Sequence, residues 1–471
     1  MKTAFDIAVI GGGAAGCTAA VEAARLGARV ALIEQDRLLG GAAWHRGRLP
    51  ARMLQAAVRA RTSNGTAAVT DPATVELSRL LPDLDAHRRK HATTYANALQ
   101  KHGVMRLHAR AVLRSPRVIE VTTVHGTRHR IESNQIVIAT GDRPRSPQGA
   151  RIDYEAVLDM GAVLSAVYLP RTVVVAGDGP SACEMATLLG HLGSQVTLAA
   201  PGQGVLPGLD PVLADIVLAS LHAAGGTFLP HHTLTGAQKD GQGGALCTLT
   251  PTDGSPATHL NPDRVVVATH RTATVRALEL GTVGLQLNAD GHLPVDRQFR
   301  TQQASIRAIG GVIGAGASPT RIRHQARQVA HWALYGRGQA DKHPRPFLDT
   351  IHAAPELATL GQAENHRPGL VAATVQEANH GLKLVADEHH RLVGLHAWGP
   401  GAEKRLQALE TAVQEQWHIR RVSRASSPSM AAASKAARQL AASLDHGESN
   451  ALHPDDLLAG IVSLPGSPSA A

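Results

Sequence analysis

Short apolar runs, glycine turns and helical stretches alternate along the chain. Asp6-Ile7-Ala8-Val9-Ile10 is apolar but brief, and it breaks at Gly11-Gly12-Gly13, which predicts a strand ending in a turn. Small residues from Ala14 to about Leu26 then read as a helix, and Arg29 to Ile33 as a second strand closed by Glu34. Strand, turn, helix and strand make a βαβ unit. The same order returns at Arg171 to Ala176, through Gly177-Asp178-Gly179-Pro180-Ser181-Ala182, a helix through Leu189 and a strand from Gln195 to Leu198. Two more apolar strands begin at Gln135 and Arg264, and the first breaks at Thr140-Gly141-Asp142-Arg143-Pro144. Later come Ile306 to Gly314, a helix from Arg321 to about Tyr335, and strands at Gly381–Ala386 and from Leu392. The pattern predicts an α/β fold with two Rossmann-like units, the second inserted in the first.

The glycines of the first unit have a physical reading. Gly11 permits a tight turn, and Gly13 lets main-chain amides approach a pyrophosphate at the positive end of the helix opened by Ala14 and Ala15. Gly16 allows helix and strand to pack closely. Glu34 stands near the spacing at which a carboxylate meets ribose hydroxyls. The unit therefore predicts a bound dinucleotide. In the second turn Gly177 and Gly179 are followed by Ala182, an accepted third position, and Pro180 suits the opening of a helix. Asp178, however, places a carboxylate where phosphate oxygens belong. Ala199-Ala200-Pro201 brings neither an acid for a ribose diol nor an arginine for a 2′-phosphate, so NAD and NADP both stay open.

Composition narrows the class. Hydrophobic residues at 43% argue against disorder, and a 471-residue chain can bury several cores. A net charge of +9 suits an anionic ligand, and with no basic run interleaved with aromatics it does not predict nucleic acid. Among 26 histidines the best metal spacing is His87 and His91 with Asp83 one turn earlier, but Arg88, Arg89 and Lys90 lie between and repel a cation. The pairs His231-His232 and His389-His390 diverge in regular structure, so no metal is expected. Cys17, Cys183 and Cys247 lie too far apart in sequence for a CxxC or similar pair, which implies a reducing, cytoplasmic compartment. No stretch is long and apolar enough to insert in a membrane, and the first strand is too short for a signal sequence.

In this order the motifs resemble the pyridine nucleotide-disulfide oxidoreductase family, with dihydrolipoamide dehydrogenase, glutathione reductase and mercuric reductase, and within it the soluble transhydrogenases. Gly40-Gly41-Ala42-Ala43-Trp44-His45-Arg46-Gly47-Arg48-Leu49-Pro50-Ala51-Arg52 occupies the family's redox segment. The resemblance implies FAD on the first unit, where Gly41, Ala42, Thr140, Gly141, Arg143, Gly310 and Gly311 join the glycine turn. It implies NAD or NADP on Gly177 and Gly179. It further implies an FAD-binding domain at 1–150 and 271–340, an NAD(P)-binding domain at 151–270, an α+β domain at 345–445 through which two copies form a homodimer, and a flexible tail at 446–471.

Departures from the family pattern bear on the reaction. Ala43 and Arg48 stand at the two redox cysteine positions, which excludes disulfide reduction by the usual route. His45 stands where transhydrogenases of the family carry a histidine. Arg52 and Glu184 take the places of a lysine–glutamate pair beside the flavin N5, where hydride arrives, which makes Arg52, Glu184 and His45 the catalytic candidates. Position 311 is glycine where relatives hold the ribityl chain with an aspartate. Ser427-Pro428-Ser429-Met430-Ala431-Ala432 replaces a segment that carries an acid/base histidine and its glutamate. Two functions are left open. One is an FAD-dependent NAD(P)H oxidoreductase that delivers electrons from flavin directly to a small acceptor such as a second nicotinamide or a quinone. The other is a non-catalytic descendant that uses the scaffold for binding or regulation.

Overall fold

The computed structural model describes residues 3–63, 77–165, 168–314, 318–336, 346–377, 379–425 and 431–446. The chain opens with β1 (Thr3–Ile10), α1 (Ala14–Arg25) and β2 (Val30–Glu34). A π-helical turn, Ala43–Arg48, leads into α2 (Leu49–Ser63), and α3 (Leu81–Lys101) precedes the long strands β3 (Met105–Ser115), β4 (Val118–Thr123) and β5 (Arg128–Ile138). The short strands β6 (Asp142–Pro144) and β7 (Val157–Leu158) come next. The second βαβ unit is β8 (Thr172–Ala176), α4 (Pro180–Leu192) and β9 (Gln195–Ala199), followed by α5 (Pro211–Ala223) and β10 (Thr227–Leu229). A three-stranded antiparallel insert of β11 (His232–Lys239), β12 (Ala245–Pro251) and β13 (Thr258–Leu260) leads to β14 (Arg264–Val267). The chain then forms β15 (Arg271–Ala273), β16 (Ile306–Ala308) and α6 (Pro319–Tyr335). The last part contains the antiparallel strands β17 (Leu348–Ile351), β18 (Leu357–Gly361), β19 (Val371–Glu377), β20 (His380–Ala386) and β21 (Leu392–Trp398), followed by short helices and the helix Ala431–His446.

The chain divides into two compact units. One holds residues 1–49, 81–145 and 270–343, and the other 50–80, 146–269 and 344–471. Pro50–Leu80 falls in the second unit, which also holds residues 151–269 and 345–445. The family-like Ser427-Pro428-Ser429-Met430 segment and the tail beyond residue 446 lie outside the described residues.

In the first unit β1 lies between β2 and β5, β2 continues to β3 and β5 to β16, all parallel. The far halves of β3 and β5 are joined by β4 in an antiparallel meander. β1 and β2 read as almost unbroken apolar runs because their central residues are covered on both faces: Ile7, Val9, Leu32 and Ile33 are each at most 1% exposed. Each such side chain contributes about 1.5–3 kcal/mol of burial. α1 can lie close to the sheet because the face it buries is Ala15, Gly16, Cys17, Ala19, Ala20 and Ala23.

The second unit carries an all-parallel sheet, β10-β9-β8-β14-β7. α4 starts with Pro180 in its first turn and ends on Gly193 at φ +116, a left-handed stop that only glycine takes without strain. α5 is capped by Asp210, whose side chain accepts from the Val212 N–H. The C-terminal antiparallel sheet runs β17-β18-β21-β20-β19, and its core includes Leu384, Leu395, Leu406, Val422 and Ala436. Among the described residues, no helix is long and apolar enough to cross a membrane.

Candidate functional site: two glycine turns

Both turns are built by the same backbone contacts. In the first, the Gly11 N–H donates to Ile33 O (2.8 Å) and the Ala139 N–H to Ile10 O (2.8 Å), which draws the end of β5 against the turn. Gly11 has φ +109, and a Cβ there would lie 2.5 Å from Ala139 O. In the second, the Gly177 N–H donates to Ala199 O (2.9 Å) and the Ala268 N–H to Ala176 O (2.9 Å). Gly177 has φ +140, and a Cβ there would lie 2.4 Å from Ala268 O. In each case the residue must lack a side chain because a neighbouring strand's carbonyl occupies the space. Gly16 is tighter still, since its Cβ would fall 1.8 Å from Gly11 O.

The turns present bare helix N-termini. Gly13 and Gly179 are the N-caps of α1 and α4, neither helix receives a side-chain cap bond, and neither has an acid in its first turn. Free N–H groups at the positive end of a helix dipole bind phosphate oxygens. Over α1 the approach is kept open by Gly41, whose Cβ would lie 2.8 Å from Gly13 Cα. Gly40 is fixed in the same way, by the His45 ring. Ala14 and Ala15 form the first turn of α1, and a Cβ on Gly310 would stand 3.0 Å from Ala15 Cβ. Gly11, Gly13, Ala14, Ala15, Gly16, Gly41 and Gly310 are thus brought together. Ala42 and Arg143 are exposed, while the Gly141 carbonyl accepts the Thr274 N–H at 2.9 Å.

Glu34 ends β2 beside the turn. One carboxylate oxygen accepts from the Gly12 N–H and the other from the Asp36 N–H at 2.8 Å. Burial pushes its carboxyl up, against those amide hydrogen bonds.

His45 Nε2 lies 2.8 Å from Leu39 O, and Arg88 from α3 donates to the His45 carbonyl at 2.9 Å. Burial pushes the ring's pKa below its usual value, so it is neutral at pH 7. With Nε2 donating to Leu39 O, Nδ1 carries a lone pair. That atom is buried and has no hydrogen-bond partner among the described residues, and the same holds for Trp44 Nε1 and Thr140 Oγ1. Thr140 adjoins the first turn, its N lying 2.9 Å from where a Gly11 Cβ would stand. Unsatisfied buried polar atoms beside a phosphate-binding helix end fit a group with hydroxyl, phosphate and ring-nitrogen partners to offer. FAD is such a group.

One expected pairing is not formed. Arg52 is exposed on α2, whereas Glu184 is 8% exposed on α4 and accepts the His352 N–H at 2.7 Å on one oxygen. The buried carboxylate has taken a main-chain donor, and the guanidinium stays in solvent, where its hydration is retained.

Asp142 is the residue the sequence did not single out. Its carboxylate fills the space beside Gly311, where a Cβ would lie 2.8 Å from Asp142 Cγ, and it is paired to Arg271 at 3.0 Å. The one available signal was an acid directly after Gly141 in the turn that ends β5. The three cysteines are free and buried. Burial pushes Cys17 up to about 12 and Cys247 up to about 11, and it raises Cys183 further. Among the described residues, no group of three or more His, Cys, Asp or Glu side chains could hold a metal ion.

Two α/β sheets with parallel cores, each opening through a turn with an obligatory glycine onto a helix without a side-chain cap, define a protein with two dinucleotide folds. The family described as pyridine nucleotide-disulphide oxidoreductase matches residues 5–334, and the chain belongs to it. Members of this family use FAD and NAD(P)H. A soluble pyridine nucleotide transhydrogenase of Mycobacterium tuberculosis is 27% identical over 84% of this chain and 88% of its own length. Dihydrolipoyl dehydrogenase 2, mitochondrial, of Arabidopsis thaliana is 24% identical over 87% and 84%, and leghemoglobin reductase of Glycine max is 26% identical over 87% and 82%. The crystal structure of LpdA from Mycobacterium tuberculosis shares the fold, with a TM-score of 0.81 at 23% identity over 93% of this chain and 99% of that one.

Proposed function

We propose that this protein is an FAD-dependent NAD(P)H oxidoreductase that works without a redox disulfide and serves a small acceptor such as a second nicotinamide or a quinone. The observation that carries the reading is the repeated turn: Gly11 against Ala139 and Gly177 against Ala268 give the chain two phosphate-binding helix ends of one design. When bound, FAD supplies a carrier that takes a hydride from a nicotinamide and releases two electrons to the acceptor.

The chain's residues act by binding and placement. Gly11, Gly13 and Gly16, with Ala14 and Ala15, hold the pyrophosphate on α1, Glu34 takes the adenosine ribose, and Gly310 keeps the turn after β16 close to α1. Thr140, His45 and Trp44 offer the buried polar atoms that the cofactor satisfies. Gly177 and Gly179 receive the nicotinamide dinucleotide. Ala43 and Arg48 at the cysteine positions, together with the raised thiols of Cys17, Cys183 and Cys247, support transfer that bypasses sulfur. The remaining parts of the proposal are a cytoplasmic location and a homodimer formed through the 345–445 segment, which light scattering on the purified protein would test.

The test is anaerobic reduction of the FAD-loaded protein. NADH or NADPH should bleach the visible flavin band, and adding a quinone or the other oxidised nicotinamide should restore it. A second reading, a non-catalytic descendant, is favoured by the open Arg52–Glu184 pairing. Protein that binds FAD but is bleached by neither nucleotide would establish it.

A further inference from the structure

Position 311 has no side-chain hydrogen-bond acceptor, yet the space its side chain would fill is not vacant of one. A Cβ on Gly311 would lie 2.8 Å from Asp142 Cγ and 2.9 Å from Asp142 Oδ1. The two residues come from different strand ends: Asp142 follows the turn after β5, and Gly311 follows β16, which pairs with β5. Both lie at the carboxyl ends of the parallel strands, the side on which open α/β sheets bind their ligands.

The surroundings define what the carboxylate can do. Arg271 Nη2 holds Oδ1 at 3.0 Å and also reaches the Asp142 carbonyl at 3.3 Å, which fixes the side chain in one orientation. Oδ2 has no donor among the described residues, and the side chain is 18% exposed. Gly310, adjacent to Gly311, packs over Ala15 in the first turn of α1. A dinucleotide with its pyrophosphate on α1 therefore has Glu34 on the β2 side and Asp142 on the β5–β16 side. A carboxylate next to a pyrophosphate would repel it, whereas a polyol presents only donors and neutral oxygens to the free lone pairs of Oδ2.

We infer that Asp142, oriented by Arg271, is the acceptor for the ribityl hydroxyls of FAD, and that Gly311 is glycine to make room for it. This rests on the FAD reading above. The acceptor function has moved across the strand pair from one turn to its neighbour, which explains how the first unit keeps a cofactor site with a glycine at 311.

The experiment is a two-by-two cycle on the full-length protein, with FAD affinity measured by quenching of flavin fluorescence during reconstitution of the apoprotein. Asp142→Ser should bind FAD about tenfold to a hundredfold more weakly, the loss expected for a hydroxyl deprived of a charged partner. Gly311→Asp alone should also weaken binding, because the new side chain meets the Asp142 carboxylate at less than 3 Å. The double variant D142S/G311D should regain part of the lost affinity: it returns one acceptor to the same space, while a Cβ at 311 still stands 3.0 Å from the main-chain N of residue 142. Circular dichroism and thermal melting of the apoproteins show whether each variant is folded. A folded D142S with unaltered affinity, or a double variant no better than the weaker single one, overturns the assignment. A parent protein that takes up no FAD overturns the proposed function together with it.

Discussion

Replacing Lys383 by methionine tests a deeply buried ionic cluster in the molecule's second unit. Lys383 Nζ lies 2.9 Å from Asp210 Oδ1 and 2.7 Å from Glu364 Oε2, with its side chain 10% exposed and that of Asp210 not exposed at all. Asp210 caps α5 through the Val212 N–H at 3.1 Å, accepts the Glu364 N–H at 3.1 Å, and faces His396 Nε2 at 3.6 Å. His396 is held in turn by Thr359 Oγ1 (2.9 Å) and the Gln362 carbonyl (3.1 Å). Methionine keeps the volume and removes the charge, leaving Asp210 ionised with amide donors alone. Breaking one side of a buried pair costs about 3–5 kcal/mol, and because two N–H groups remain on Asp210 the lower end, about 3 kcal/mol, applies here. In urea this corresponds to a midpoint about 1 M lower at an m-value of about 3 kcal/mol/M. Tryptophan fluorescence is a suitable probe, since Trp398 is 1% exposed at the end of β21. Asp210→Asn added to Lys383→Met should recover more than half of the loss, because the amide needs no counter-charge and still accepts from α5. A K383M protein with an unchanged midpoint, or a double variant as unstable as the single, would refute the view that uncompensated charge sets the cost.

The same cluster gives a pH dependence. Burial pushes His396 down to about 4, so the unfolded chain binds its proton first. Burial alone would raise Asp210, but the charges of His396 and Lys383 outweigh it and hold that carboxyl below its usual value. Stability is therefore full above about pH 6.5 and falls toward pH 4, by about 3 kcal/mol from His396; melting curves at pH 7 and pH 4.5 check the sign, and His396→Gln should flatten the decline. Gly16→Ala should abolish FAD retention, with less than about a tenth of the sites filled after reconstitution, since no rearrangement short of opening the turn removes a 1.8 Å contact; flavin absorbance per chain measures it. Native protein at pH 8 should leave Cys17, Cys183 and Cys247 unreacted with an aromatic disulfide reagent while denatured protein titrates fully, and alkylation should leave NAD(P)H bleaching unchanged.

The βαβ units were legible because their signals are local. Gly11, Gly13 and Gly16 stand within one turn of sequence, and the helix from Ala14 ends at Arg25, one residue from its expected close. Likewise β14 begins at Arg264 and α6 ends at Tyr335, as the apolar pattern requires. What was not legible depends on contacts between distant segments. Nothing near Asp142 announces Gly311 or Arg271, and nothing near Asp210 announces Lys383. The expected contact between Arg52 and Glu184 is not made, because matching positions do not fix where a long side chain points. Glu184 had a nearer donor in the main chain at His352.

The two turns depend on carbonyl oxygens and missing Cβ atoms, so they are indifferent to most side-chain chemistry around them. Reactive groups such as thiols can be exchanged for alanine or arginine without disturbing the cradle, while a single methyl at Gly11 or Gly177 would force β5 or β14 from its neighbour. A scaffold of this kind separates holding a coenzyme from using it, and substitution can change the second while leaving the first in place.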